Sequence, residues 1–247
     1  MSIKTTFNYS PNFNIKKRSI KQIKFLVFHY TGMKQESKAI ERLINIQSQV
    51  SSHYFIKRNG KILEMVPDLY IAWHAGISRW GNNKLLNKQS IGIEISNPGH
   101  RYGYVNFSKN QIKSLIKLSK HLIKKYRIKK NCLLGHSDIA PDRKLDPGEK
   151  FPWKILSKKK IGIWHNLNSI KLKSLRHKFI SDKNNHLFMK KLKNFGYSDK
   201  SNIFQNSLKL NRLLVKAFQR RFRPEAINGK IDQECILILD NLMNIKK

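Results

Sequence analysis

The chain has 247 residues and a mass of 29.1 kDa, with 40% hydrophobic and 26% charged residues, enough to bury a substantial core. No run approaches the 18 apolar residues of a membrane span, and an aromatic content of 10% excludes a disordered basic tail protein. Fifty Lys and Arg against 15 Asp and Glu leave +35, which favours polyanions such as nucleic acid, an anionic membrane or acidic polymer. The lysines are spread along the chain and form no nucleic-acid motif, so charge by itself selects no partner.

Residues 1–20 mix Asn, Ser and Lys and are expected to form an irregular arm. Ile23 to Phe28 (IKFLVF) is dense in strand-forming apolar residues and fits a buried central strand. Ala39, Ile40, Leu43 and Ile44 recur at helical spacing within Glu36–Gln47. Tyr54–Ile56 and Ile62–Val66 flank Asn59-Gly60, the strongest hairpin signal in the sequence. After a loop-rich stretch at 67–90, Ile91, Ile93 and Ile95 define one face of a strand and Glu94 the other. Ser108 with Gln111 forms a capping box ahead of an apolar stripe that runs to Tyr126. Cys132–Leu134 is a short strand leading to Gly135-His136, and a Pro-, Gly- and Asp-rich loop spans 140–152.

This order predicts an α/β domain, a central mixed β-sheet flanked by helices, over residues 21–160. Residues 151–200 carry 13 Lys or Arg against two Asp, and 161–184 is read as a basic connector. Stripes at 210–222 and 235–242, with Ile231 and Ile236 as a staple around a cap at Asp232, predict a small all-helical domain over 185–247.

Cys132 and Cys235 have no CxxC neighbour and are expected to be buried as small hydrophobes. The N-terminus lacks an apolar signal region and a lipoprotein cysteine, so a cytoplasmic location is the expectation, with a periplasmic or wall-associated one by a non-standard route as the alternative.

His29 ends a strand, His136 follows another, and Asp146 lies ten residues further on. Two imidazoles and one carboxylate would hold Zn²⁺ at net +1 and leave a position for water. Their spacing matches no HExxH-type motif, and a strand-end histidine is as readily a hydrogen-bonded structural residue.

Six ordered pieces add to this reading: Val27-Phe28-His29-Tyr30-Thr31, Ser52-His53-Tyr54-Phe55-Ile56, Ala72-Trp73-His74-Ala75-Gly76, Ser90 to Ile95, Gly135 to Pro141, and Lys144-Leu145-Asp146-Pro147-Gly148. Together they resemble the zinc-dependent N-acetylmuramoyl-L-alanine amidases of the type-2 amidase and peptidoglycan-recognition fold, over about residues 22–155. The resemblance implies one Zn²⁺ on His29, His136 and Asp146, a catalytic Glu94 and a catalytic Lys144. It places Tyr30, Trp73 and His74 along the substrate cleft, with His53 supporting the sheet. Asp138 is read as a loop-fixing carboxylate, with Asp142 as its competitor.

The implied reaction cleaves the amide between N-acetylmuramic or 1,6-anhydro-N-acetylmuramic acid and L-alanine, in peptidoglycan or in soluble muropeptides. Ala217–Phe222 with Asn228–Asp232 resembles the repeat of three-helix peptidoglycan-binding domains, which implies a wall-contacting role for 185–247. Two alternatives stand beside the enzyme. One is a non-catalytic peptidoglycan-recognition protein, which would typically lack a ligand that is present here. The other is a basic nucleic-acid-binding protein, for which no recognition motif is found. No transmembrane segment and no nucleic-acid partner are expected, and the sequence leaves the oligomeric state open.

Overall fold

A computed structural model describes residues 3–198 and 207–246. Its strands are β1 (Thr6–Phe7), β2 (Phe13–Asn14), β3 (Phe25–Tyr30), β4 (Tyr54–Ile56), β5 (Ile62–Glu64), β6 (Ile71–Ala72), β7 (Arg79–Trp80), β8 (Asn83–Lys84), β9 (Ser90–Ile95) and β10 (Leu133–Gly135). The helices are α1 (Glu36–Ile44), α2 (Lys109–Tyr126), α3 (His136–Ile139), α4 (Trp153–Lys158), α5 (Ser169–Leu175), α6 (Asp182–Phe195), α7 (Ser207–Phe222) and α8 (Gln233–Lys246). Six strands form one mixed sheet in the order β1-β5-β4-β9-β3-β10. Within it only β4 and β5 pair antiparallel, around the Asn59-Gly60 turn, where Gly60 adopts φ +86°.

The central strand β3 is buried on both faces, which is why it reads as an unbroken apolar run. Leu26 and Phe28 face α2 together with Ile91, Ile93 and Ile95 of β9. Helix α2 begins at the predicted capping box: Ser108 Oγ accepts from Gln111 N at 3.1 Å, and Gln111 Oε1 accepts from Ser108 N at 2.9 Å. Its far end is fixed by buried Asp68, whose carboxylate accepts from Tyr54, Lys125 and Tyr126.

Phe25 and Val27 face the opposite way, and their core includes Leu192, Phe195, Tyr197, Leu214, Phe218, Phe222 and Leu239 of the C-terminal segment. Three helices, α6, α7 and α8, therefore close the second face of the sheet. The helical unit begins at Asp182, three residues ahead of the expected boundary at 185, because Ser181 Oγ caps it through Asn184 N. Helix α6 ends at Phe195, and Gly196 follows it as the cap. Residues 199–206 of the expected helical domain lie outside the described residues.

The N-terminal segment expected to be irregular instead pairs with the domain: β1 lies parallel to β5, and β2 antiparallel to β6. Arg18 is buried and donates to the carbonyls of Asp68 and Ser90 at 2.8 and 2.7 Å. Those acceptors are backbone groups, which the sequence does not advertise. Among the described residues, no helix is long and apolar enough to cross a membrane.

Candidate metal and catalytic centre

Strands β3, β9 and β10 run parallel, so their C-terminal ends form one edge. His29 occupies that end of β3 and is the register partner of Glu94 on β9. His136 opens α3 immediately after β10, and Asp146 returns on the following loop, where Ser137 N donates to its carbonyl at 2.8 Å. His29 Nδ1, His136 Nδ1 and Asp146 Oδ2 form a triangle with every side 3.0 Å. All three residues are buried. Tetrahedral ligands at zinc distances stand about 3.3 Å apart, so this triangle matches a first-row cation to within a few tenths of an ångström.

The outward nitrogens assign the tautomers. His136 Nε2 lies 3.1 Å from the Ala75 carbonyl, which only accepts, so the proton is on Nε2. Ser90 Oγ donates to the Leu86 carbonyl at 2.6 Å, so it must accept from His74 Nε2 at 3.2 Å. His74 Nδ1 is then the acceptor for His29 Nε2 at 3.1 Å. His29 Nδ1 consequently points a lone pair at the Asp146 carboxylate, and His136 Nδ1 faces the same oxygen at 3.0 Å. Burial, reinforced by neighbouring His136, lowers the His29 pKa to about 4, so the ring is neutral near pH 7. The inward Nδ1 atoms of two imidazoles and one carboxylate oxygen converge on a single point, and this donor set of two N and one O fits Zn²⁺.

Glycine is required at two points of this frame. A Cβ on Gly92 would sit 2.4 Å from His74 Cγ, and one on Gly135 would sit 2.6 Å from Pro147 Cδ. His53 supports the same strand: its Nδ1 accepts from Gly92 N at 3.0 Å and its Nε2 donates to the Tyr70 carbonyl at 3.1 Å.

A cleft of about 560 Å³ opens over the triangle and is lined by Tyr30, Trp73, His74, Glu94, His100 and Lys144, among others. Burial, with Asp146 adding repulsion, raises the Glu94 pKa to about 8, against the opposing pull of Lys144. Glu94 Oε2 is buried and has no hydrogen-bond partner among the described residues. Trp73 is held by Nε1 donating to Asn14 Oδ1 at 2.7 Å.

Tyr30 Oη meets His100 Nδ1 at 2.9 Å, and His100 Nε2 meets Glu149 Oε2 at 2.9 Å. Sequence reasoning singled out Tyr30 but neither His100 nor Glu149, which come together only through folding. Asp138 is the loop-fixing carboxylate, accepting from Gly135 N at 2.8 Å, while Asp142 is exposed. Cys235 is buried as expected, and Cys132 is half-buried.

Comparison with known proteins gives a consistent picture. The family described as N-acetylmuramoyl-L-alanine amidase matches residues 19–149. The chain is 36% identical over 234 residues to N-acetylmuramoyl-L-alanine amidase AmiD of Escherichia coli strain K12, covering 90% of this chain and 83% of AmiD. It is 33% identical over 162 residues to 1,6-anhydro-N-acetylmuramyl-L-alanine amidase AmpD of Haemophilus influenzae, covering 58% and 85%. Among solved structures, E. coli AmiD in complex with the substrate anhydro-N-acetylmuramic acid-L-Ala-D-γ-Glu-L-Lys matches with TM-score 0.78 and 33% identity, over 91% of this chain and 90% of that one. AmpDH3 of Pseudomonas aeruginosa in complex with anhydromuramic pentapeptide also gives 0.78, at 29% identity over 96% and 97%.

Proposed function

This chain belongs to the N-acetylmuramoyl-L-alanine amidase family, and from that premise we propose that it hydrolyses the amide joining N-acetylmuramic acid, or its 1,6-anhydro form, to L-alanine. The observation that carries the reading is the 3.0 Å triangle of His29, His136 and Asp146 with Glu94 across the register from His29. These three residues are proposed to hold one Zn²⁺. When bound, the ion supplies a Lewis acid that polarises the lactyl carbonyl and acidifies water.

Glu94 is proposed as the general base that takes a proton from the attacking water and as the acid that returns it to the leaving amine of L-alanine. Lys144 places an ammonium in the same cleft, where it stabilises the oxygen of the carbonyl as negative charge develops. Trp73 and Tyr30 form cleft wall for the sugar and stem peptide. His74 combines an edge on the cleft with its bond to His29.

Residues 21–160 are proposed to carry the chemistry. Residues 185–247 are proposed to carry wall contact, with 161–184 as the basic connector and 1–20 as the flanking arm. This is a division of role, since the helices share a core with the sheet. The basic surface, acting over about 8 Å at physiological salt, would prolong residence on polymer bearing free carboxylates.

The test is mass spectrometry of digests of sacculi and of purified anhydro-muropeptides. The expected products are the amino sugar with a free lactyl carboxylate and a peptide beginning with L-alanine. Chelator should suppress both and added Zn²⁺ should restore them. A chain that binds muropeptide yet releases no peptide under any metal condition would be a recognition protein.

A further inference from the structure

Asp138, two residues after His136, is buried together with Arg221 and Tyr197 from the C-terminal helical segment. Arg221 Nη1 donates to Asp138 Oδ2 at 2.6 Å, and Tyr197 Oη donates to Asp138 Oδ1 at 2.6 Å. Asp138 Oδ2 also accepts from Gly135 N at 2.8 Å, and Arg221 Nη2 donates to the Leu133 carbonyl at 2.9 Å. The backbone on both sides of His136, at residues 133, 135 and 138, is thereby fixed from outside the sheet. The guanidinium itself is confined, with its carbon 4.1 Å from the Trp153 ring centroid.

We infer that Arg221 and Tyr197 are positioning residues for the metal-ligating His136, acting through the Asp138 carboxylate. The inference rests on the reading of His136 as a ligand proposed above. The turn of α3 is only four residues long, so its own hydrogen bonds cannot fix the direction of the His136 ring. The Ala75 carbonyl holds one end of that ring, and the Asp138 clamp holds the backbone from which it projects. Asp146 is drawn into the same frame by Ser137 N, so two ligands share one support. The helical segment would thus complete the catalytic centre while none of its described residues lines the cleft. Groups that orient ligands in this way set metal affinity as well as rate.

The experiment uses the full-length protein and reads Zn²⁺ affinity by competition with a chromogenic chelator. It also measures kcat and KM on a soluble anhydro-muropeptide, and thermal melting without metal. Tyr197→Phe removes one hydrogen bond at almost constant volume and should weaken Zn²⁺ binding about tenfold, lowering kcat with KM unchanged. Arg221→Met should do the same to a greater extent. Leu239→Ala, a cavity in the same helical core away from Asp138, should lower the melting temperature while leaving Zn²⁺ affinity and kcat at wild-type levels where the protein is folded. Wild-type Zn²⁺ affinity in folded Tyr197→Phe and Arg221→Met would overturn the inference. So would an equal loss in Leu239→Ala, which would make the effect general loosening. Failure of the underlying site reading shows separately, as His136→Ala binding Zn²⁺ as tightly as the wild type.

Discussion

Two buried carboxylates lie eight residues apart on the same segment, Asp138 in the turn of α3 and Asp146 in the loop that follows. Each is surrounded by close partners at 2.6–3.0 Å, and by burial alone they are alike. Their partners differ in polarity. Asp138 meets a guanidinium, a phenol and a backbone N–H, all donors, so its charge is already satisfied. Asp146 meets the inward Nδ1 atoms of two imidazoles, whose outer Nε2 atoms are already engaged by the Ala75 carbonyl and by His74. The first arrangement is a closed structural joint. The second is open to a cation, the role proposed for it.

Four measurements test this contrast. The largest effect is expected at the open carboxylate. Asp146→Ala, like His136→Ala, should abolish Zn²⁺ binding and lower amide hydrolysis by about a thousandfold or more, the several kcal/mol that a bound Lewis acid supplies. Next is the closed carboxylate. Asp138→Ala strands a buried Arg221 and should destabilise the protein by about 3–5 kcal/mol in denaturant melts. Asp146→Ala in the metal-free protein should cost far less, and equal costs would erase the distinction.

The third prediction concerns Glu94, whose pKa near 8 in the fold compares with about 4.5 unfolded. The folded state holds this proton over a pH range in which the unfolded chain has lost it, so metal-free stability falls as pH rises from about 4.5 to 8. Glu94→Gln should therefore stabilise the metal-free protein above pH 8, by about 5 kcal/mol at most, with the gain vanishing near pH 4. The same variant should bind Zn²⁺ and lose about 10²–10⁴ in kcat. A stability gain that does not depend on pH would mean that Glu94 is ionised throughout. The smallest effect is expected at His74. His74→Ala removes the acceptor behind His29 and should weaken Zn²⁺ binding about tenfold, read by chelator competition.

The sequence made the ligand-bearing strands legible because their chemistry is local. Burial on both faces writes β3 as an apolar run, and the two-residue period of β9 separates Glu94 from its isoleucines. Helix α2 announced both its stripe and its cap. What stayed hidden depends on partners far along the chain. Arg18 reads as one more basic residue of an arm, yet its acceptors are carbonyls 50 and 72 residues away. The stripes of α7 and α8 were visible, but a stripe does not say what it covers, and here it covers Phe25, Val27 and Leu134 of the sheet. Arg221 is one of 50 basic residues, and only its place over the Trp153 ring and against Asp138 sets it apart.

The separation of the ligands along the chain has a kinetic side. His29 and Asp146 are 117 positions apart, and their meeting depends on β9, β3 and β10 lying side by side in register. A cation bridging them, as proposed, would act as a reversible cross-link across most of residues 21–160. In the chain-entropy account, a covalent link closing a loop of that size is worth about 4.7 kcal/mol. Because the three donor atoms converge only after strand pairing, that stabilisation arrives late in folding. It should slow unfolding and leave the rate of strand assembly almost untouched. Metal removal would then shorten the lifetime of the folded protein without impeding its formation.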